Sequence, residues 1–162
     1  MGKAIRIHLG CGDKYWPGWI NVDSAGCAQV KSDVRTLPFE DGYADEVQAI
    51  HLFEHLPRWE AEKILAEWKR VLKPGGVLVL ELPSFTKIMQ LSQSRSMQTR
   101  QLQNAVFGDP RYKDELMMHR WCWTETELLK EMDHAGFAGI VIEPPVFHVE
   151  RRDFRIKGTK HD

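Results

Sequence analysis

Gly10, Cys11 and Gly12, followed by a carboxylate at Asp23, are the first residues in this chain whose types and spacing suit chemistry. Glycine has no Cβ, so the backbone can turn sharply and a ligand can approach to contact distance. An acid that closes the next apolar run can accept hydrogen bonds from ribose hydroxyls. Together they predict a nucleotide site. A second group is histidine: His51, His55 and His119 can each exchange a proton near neutral pH. Each also has a structural reading. For His119, which precedes Arg120-Trp121-Cys122-Trp123, that reading is a hydrogen-bonded ring inside an aromatic cluster.

These residues need a scaffold, and the apolar pattern supplies one. Ile5, Ile7 and Leu9 alternate with Arg6 and His8 at period two, a strand with one buried face that runs into the glycines. Residues 19–23 form a second apolar run ending at Asp23. The loop between them, Asp13 to Gly18, is too short for the helix that usually follows a first strand, and Pro17-Gly18 marks a turn. A dinucleotide pyrophosphate needs the N-terminus of such a helix, so a dinucleotide is disfavoured. A short third strand from Val30 places Asp33 beside Asp23, and a fourth over Glu46 to Leu52 delivers His51 to the same edge.

Pro57 then suits the first turn of a helix carrying Ala61, Ile64, Leu65, Trp68, Val71 and Leu72 on one face, stopped by Pro74-Gly75-Gly76. Val77 to Leu82 is a near-continuous apolar run, as expected for a strand covered on both faces. Residues 85–106 predict one or two helices over the sheet edge. Thr124 and Glu127 start a further helix in capping-box style, ending near Gly136, and residues 139–142 and 154–157 supply two last strands.

At this spacing the chain resembles the class I S-adenosylmethionine-dependent methyltransferases, of the small methyltransferase type 11 kind, over most of its length. His8-Leu9-Gly10-Cys11-Gly12 looks like the glycine-rich first motif, Asp23 like the ribose-binding acid and Asp33 like the acid beside the adenine. Leu37-Pro38-Phe39, Phe53-Glu54-His55-Leu56 and Arg70 to Gly76 follow in the family's order. The resemblance implies a Rossmann-like, doubly wound, seven-stranded α/β sheet, mostly parallel with the last strand antiparallel, in three α/β/α layers. It implies S-adenosylmethionine as cofactor and S-adenosylhomocysteine as product, held by Leu9, Gly10, Cys11, Gly12, Asp23, Asp33, Val34 and the backbone of His51. His55 and His119 are the candidate catalytic bases, and the acceptor is a small molecule or a saccharide-like metabolite. The departures are His8, where the family commonly has an acid, and Lys14, where a third glycine often stands. Without an Asp/Asn-Pro-Pro-Tyr signature, methylation of DNA bases is disfavoured.

Composition narrows the alternatives. The 162 residues fit one domain spanning 1–162, and a net charge of −1 gives no general attraction to nucleic acid or anionic membranes. Arg151, Arg152, Lys157 and Lys160 read as a solvated basic tail. Three widely spaced cysteines and the lack of an apolar signal core or spanning run point to a reducing, cytoplasmic setting. His51-Leu52-Phe53-Glu54-His55 matches the H-x-x-E-H pattern of zinc hydrolases, which needs both histidines on one helix face. Pro57 pushes Leu56 out of the helical region, so no metal is expected from that pattern. The remaining alternative is a non-catalytic methyltransferase-like domain that keeps the fold and serves as a binding or scaffold module.

Overall fold

Ile7 and Leu9 bury one side of the first strand while Arg6 and His8 turn to the other, and this division runs through the whole sheet. The computed structural model describes residues 3–161. Its strands are β1 (Arg6–Leu9), β2 (Ile20–Asp23), β3 (Val30–Lys31), β4 (Ala44–Ile50), β5 (Leu72–Pro83), β6 (Phe137–Glu143) and β7 (Asp153–Lys160). Its α-helices are α1 (Ala61–Val71), α2 (Phe85–Gln93), α3 (Thr99–Phe107) and α4 (Glu125–His134). The strands form one sheet in the order β3-β2-β1-β4-β5-β7-β6, parallel except for β7, which is antiparallel to both neighbours. The direction of strand addition reverses between β1 and β4. In an open α/β sheet the crevice beyond that switch point is where ligands bind.

The seven-stranded Rossmann-like sheet is as expected, but its helical cover is one layer instead of two. α1 turns Ile64, Leu65, Trp68 and Val71 into the same core as Leu128 and Met132 of α4, against Ile7, Val47, Leu78, Leu80 and Ile156. The links 13–19 and 24–29, where helices would cover the opposite face, contain none. That second face carries Arg6, His8, Glu46, Gln48, Glu81, Arg155 and Lys157.

Two loops cover this polar face. Trp16 stacks on His8 at 3.7 Å and on Phe147 at 4.8 Å, so its role is packing within the fold. Asn21 at the other side of His8 accepts from the Trp16 N–H and donates to the Trp16 and Trp19 carbonyls, which fixes the short turn. The segment 144–152 is held by two wholly buried acids. Glu81 accepts from the N–H groups of Val146 and Phe147, and Asp153 accepts from that of Val149. The residues read as a basic tail are for the most part engaged: Arg152 pairs with Asp153, Lys157 with Glu143, and Lys160 donates to the Leu72 carbonyl. A strand inside a sheet leaves little of its length to solvent.

Three boundaries differ from the sequence expectation. Pro57 is extended and precedes a 3-10 turn, Arg58–Glu60, so α1 begins only at Ala61. β5 starts at Leu72, directly after α1, because Leu72 already pairs with Ala44 before a register shift leads to Val77 opposite Glu46. The 85–106 region is two short helices with Ile88 and Ala105 as their buried residues. Among the described residues, no helix is long and apolar enough to cross a membrane.

Candidate functional site

Gly10 and Gly12 both sit at positive φ, 65° and 49°, at the carboxyl end of β1. The N–H groups of Gly10 and Cys11 both donate to the Val22 carbonyl, and that of Gly12 donates to Asp23 Oδ2 at 2.8 Å. The loop therefore spends its donors internally and is pinned to β2. A Cβ on Gly12 would meet nothing within 4 Å, so open space lies against the backbone there. Leu9 and Cys11 are buried, 0% and 2% exposed, and only their backbone can face a ligand.

Asp23 closes β2 beside that space. Its Oδ1 accepts from the Ala25 N–H at 2.9 Å, so both oxygens already hold backbone donors. A carboxylate offers about four lone-pair positions, and room for ribose hydroxyls remains. The loop after Asp23 closes over the glycines: the Cys27 N–H donates to the Gly12 carbonyl at 2.9 Å. Gly26 permits this approach, since a Cβ there would stand 2.1 Å from the Gly12 oxygen.

Asp33 lies two residues beyond β3, and its carboxylate grips Arg35 through both oxygens, which holds its pKa below the ordinary carboxylate range. Its side chain thus serves its own turn. Val34 is buried, and its carbonyl accepts from Trp68 Nε1 at 2.8 Å.

His51 follows β4 in the left-handed region, φ 51°, unusual for a residue with a Cβ. Its N–H donates to the Glu81 carbonyl at 2.7 Å. The imidazole lies between two buried carboxylates, 3.2 Å from Glu54 and 3.4 Å from Asp153, as ion pairs without hydrogen-bond alignment. Burial alone would lower its pKa. The two acids outweigh burial and raise it to about 9, so the ring is a cation at neutral pH. His51 and His55 do not share a helix face: Phe53–His55 is a single 3-10 turn.

His55 and His119, predicted from separate segments, meet edge to face with ring centroids 4.8 Å apart. The His55 Nδ1 lies 3.2 Å from the Met118 carbonyl, and the His119 Nδ1 lies 3.1 Å from the Ala105 carbonyl. A carbonyl can only accept, so each Nδ1 carries the proton and each Nε2 is left as a base. The N–H groups of Arg120 and Trp121 donate to the Glu54 carbonyl and hold the two segments together. Burial lowers the pKa of His119, which keeps it neutral.

Glu54, Glu81, His148 and Asp153 were not singled out as functional in the sequence. Glu81 had a usable signal, as the one charge inside the apolar run 77–82, because a charge in a covered strand must be paired. His148, whose ring lies tilted against His51 at 3.9 Å, carried none.

Residues 9–80 match a family model described as methyltransferase domain. A sterol 4-C-methyltransferase of Caenorhabditis elegans is 37% identical over 54 residues, 33% of this chain and 16% of that protein. A methyltransferase-like protein of Encephalitozoon cuniculi is 34% identical over 82 residues, 49% of this chain and 39% of its own length. The chain thus spans less than half the length of these curated relatives. The fold matches an S-adenosylmethionine-dependent methyltransferase of Archaeoglobus fulgidus with TM-score 0.67 and 19% identity, covering 97% of this chain and 86% of that one. A second, from Thermotoga maritima, gives 0.63 and 16%, covering 99% and 84%. Residues 9–80 are thus similar to a methyltransferase domain, and the chain as a whole shares the fold of these S-adenosylmethionine-dependent methyltransferases.

Proposed function

We propose that the chain transfers a methyl group from S-adenosylmethionine to a small-molecule or saccharide-like acceptor. The observation that carries this reading is the open left-handed turn at Gly12, at the carboxyl end of β1 beside the strand switch point, pinned by Asp23 at the end of β2, with His55 and His119 close together after β4. The open space at Gly12 and the partly exposed Asp23 carboxylate fit an adenosyl group. Asp23 would accept from the ribose hydroxyls, and the 33–34 segment and the His51 backbone would flank the base. When bound, this cofactor supplies a methyl on a sulfonium, a leaving group that is already activated. The protein's own work is then to orient the acceptor, exclude water and, where the acceptor starts protonated, take that proton at Nε2 of His55 or His119.

A second reading, binding without turnover, is favoured by one feature: both Asp23 oxygens already hold backbone N–H groups. Calorimetric titration with S-adenosylhomocysteine, followed by a turnover assay over hydroxylated small molecules and sugars, separates the two. Saturable binding with product release is expected. Binding without release across the panel would favour the second reading, and no binding by a folded protein would remove both.

A further inference from the structure

Glu54 is 1% exposed, and neither carboxylate oxygen has a hydrogen-bond partner among the described residues. Leaving a carboxylate oxygen buried and unpartnered is costly, so such a group commonly marks a missing ligand or ion. Among the described residues its ion-pair partner is His51, 3.2 Å from Oε1, and Oε2 has no hydrogen-bond partner. Beside it stand His55 and His119, and one ligand-capable atom from each of the three residues lies within 4.8 Å of the other two.

The ring orientations give an independent reason to read this cluster as a cation site. A histidine that ligates a metal almost always donates its other ring N–H to a carbonyl or carboxylate, which fixes tautomer and orientation. Both rings already do this through Nδ1, to Met118 and Ala105. Each Nε2 is therefore a preset lone pair. The carbonyls come from segments 63 and 14 residues away in sequence, so the orientation is a property of the tertiary fold.

We infer that Glu54, His55 and His119 bind one divalent transition-metal ion. Two imidazoles and one carboxylate suit zinc, cobalt, manganese or iron(II) better than magnesium or calcium, which take oxygen ligands. Three protein ligands leave coordination positions open for water or an acceptor oxygen. The ligand set differs from the H-x-x-E-H pattern, because His51 does not join it and His119 does. Resting on the methyl-transfer reading, the site adds a substrate class: acceptors with a hydroxyl that can ligate the ion. With both Nε2 lone pairs on the ion, neither histidine acts as base in this loaded form: the ion would lower the pKa of that hydroxyl, its proton would leave to solvent, and the oxygen would take the methyl as the sulfur–carbon bond breaks.

The test is titration of Co2+ into chelator-treated protein, read by its visible absorption and by calorimetry. One equivalent is expected, with a spectrum of nitrogen and oxygen ligation. His119→Ala and His55→Ala should each weaken it by more than the roughly 10–100-fold that loss of an outer-shell partner costs. Glu54→Gln, which keeps the side-chain volume, should do the same, and cooperative urea unfolding of each variant controls for misfolding. No saturable binding, or unchanged binding in folded His119→Ala, overturns the site. S-adenosylhomocysteine affinity is measured alongside in the wild-type protein. Its absence in wild type would remove the methyl-transfer reading while the cobalt result still decides the metal site.

Discussion

One face of the sheet packs Leu78, Leu80 and Ile156 against Trp68, Leu128 and Met132, all 0% exposed, whereas the other buries Gln48 and Glu81 under two loops and a stack of His8, Trp16 and Phe147. The first is held by non-directional burial of apolar surface, and many side chains of the right size would serve. The second is held by ion pairs and hydrogen bonds, in which each member leaves another buried group unpaired if it is removed. The difference teaches where this fold can tolerate change. It also separates two dependences on pH, because only the second face stores charge.

The largest expected effect tests that separation. Burial would raise the Glu81 pKa, but His148, the Val146 and Phe147 N–H groups and Arg155 outweigh it and hold it at about 2. A folded pKa below the unfolded value near 4.5 gives stability that is present above 4.5 and lost as pH falls toward about 2. The shift corresponds to about 3 kcal/mol. Glu81→Ala should cost about 3–5 kcal/mol at pH 7, since it strands Arg155 in a covered layer. That gap to wild type should shrink as the pH is lowered through this window. Leu80→Ala, on the apolar face, should cost about 2–5 kcal/mol with no such shrinkage. Urea midpoints at pH 7 and pH 3 read both, and parallel pH profiles for the two variants would abolish the distinction between the faces.

Asp23 closes β2, and a double role is expected of it. Asp23→Ala should lower S-adenosylhomocysteine affinity at least about tenfold, or 1.4 kcal/mol. It should also lower stability by about 1–2 kcal/mol, because Gly12 and Ala25 lose an acceptor. Calorimetry and urea unfolding on the same sample separate the two. Full affinity in a destabilised variant would make Asp23 a purely structural pin. The smallest effect is at Trp16→Leu: losing its stacking on His8 and Phe147 should cost about 0.5–1.5 kcal/mol beyond area. Amide exchange should rise in 144–152 and stay unchanged in α1, and acceleration in α1 would couple the faces that are here treated as separate.

The apolar face was legible in the sequence because its signal is local. Ile7 and Leu9, and the helical spacing of Ile64, Leu65 and Trp68, each fall within a few residues of one another. The polar face was not legible, since Gln48 and Glu81 look like solvent-facing residues until a distant loop arrives to bury them. The missing first helix could be read from the short 13–18 loop, yet the bareness of a whole face needed all the connections together. The site divides in the same way. Gly10 to Gly12 and Asp23 are candidates that spacing alone suggests, while His55 and His119 were each flagged without any sign that 118–121 would hydrogen-bond back to Glu54. Asp33 has a local partner that the sequence reading passed over, because Arg35 takes its carboxylate.

The position of β7 has a consequence for the order in which the molecule can assemble. The strand made last lies between β5 and β6, so β6 has no partner in the sheet until β7 is laid down. β7 also brings Asp153, which faces His51 and anchors Val149 and Arg152. A nascent chain can therefore pair β1 through β5 and dock α1 early. The ion pairs around His51 and the cover over the polar face must wait for a contact between distant parts of the chain, the kind that closes slowly because loop entropy precedes any gain. On a ribosome the part of the apolar face built by β1 to β5 and α1 would mature first, while Ile156 of that face and the sheet edge that holds the glycine turn and the histidines would be completed only when β7 slides into the gap.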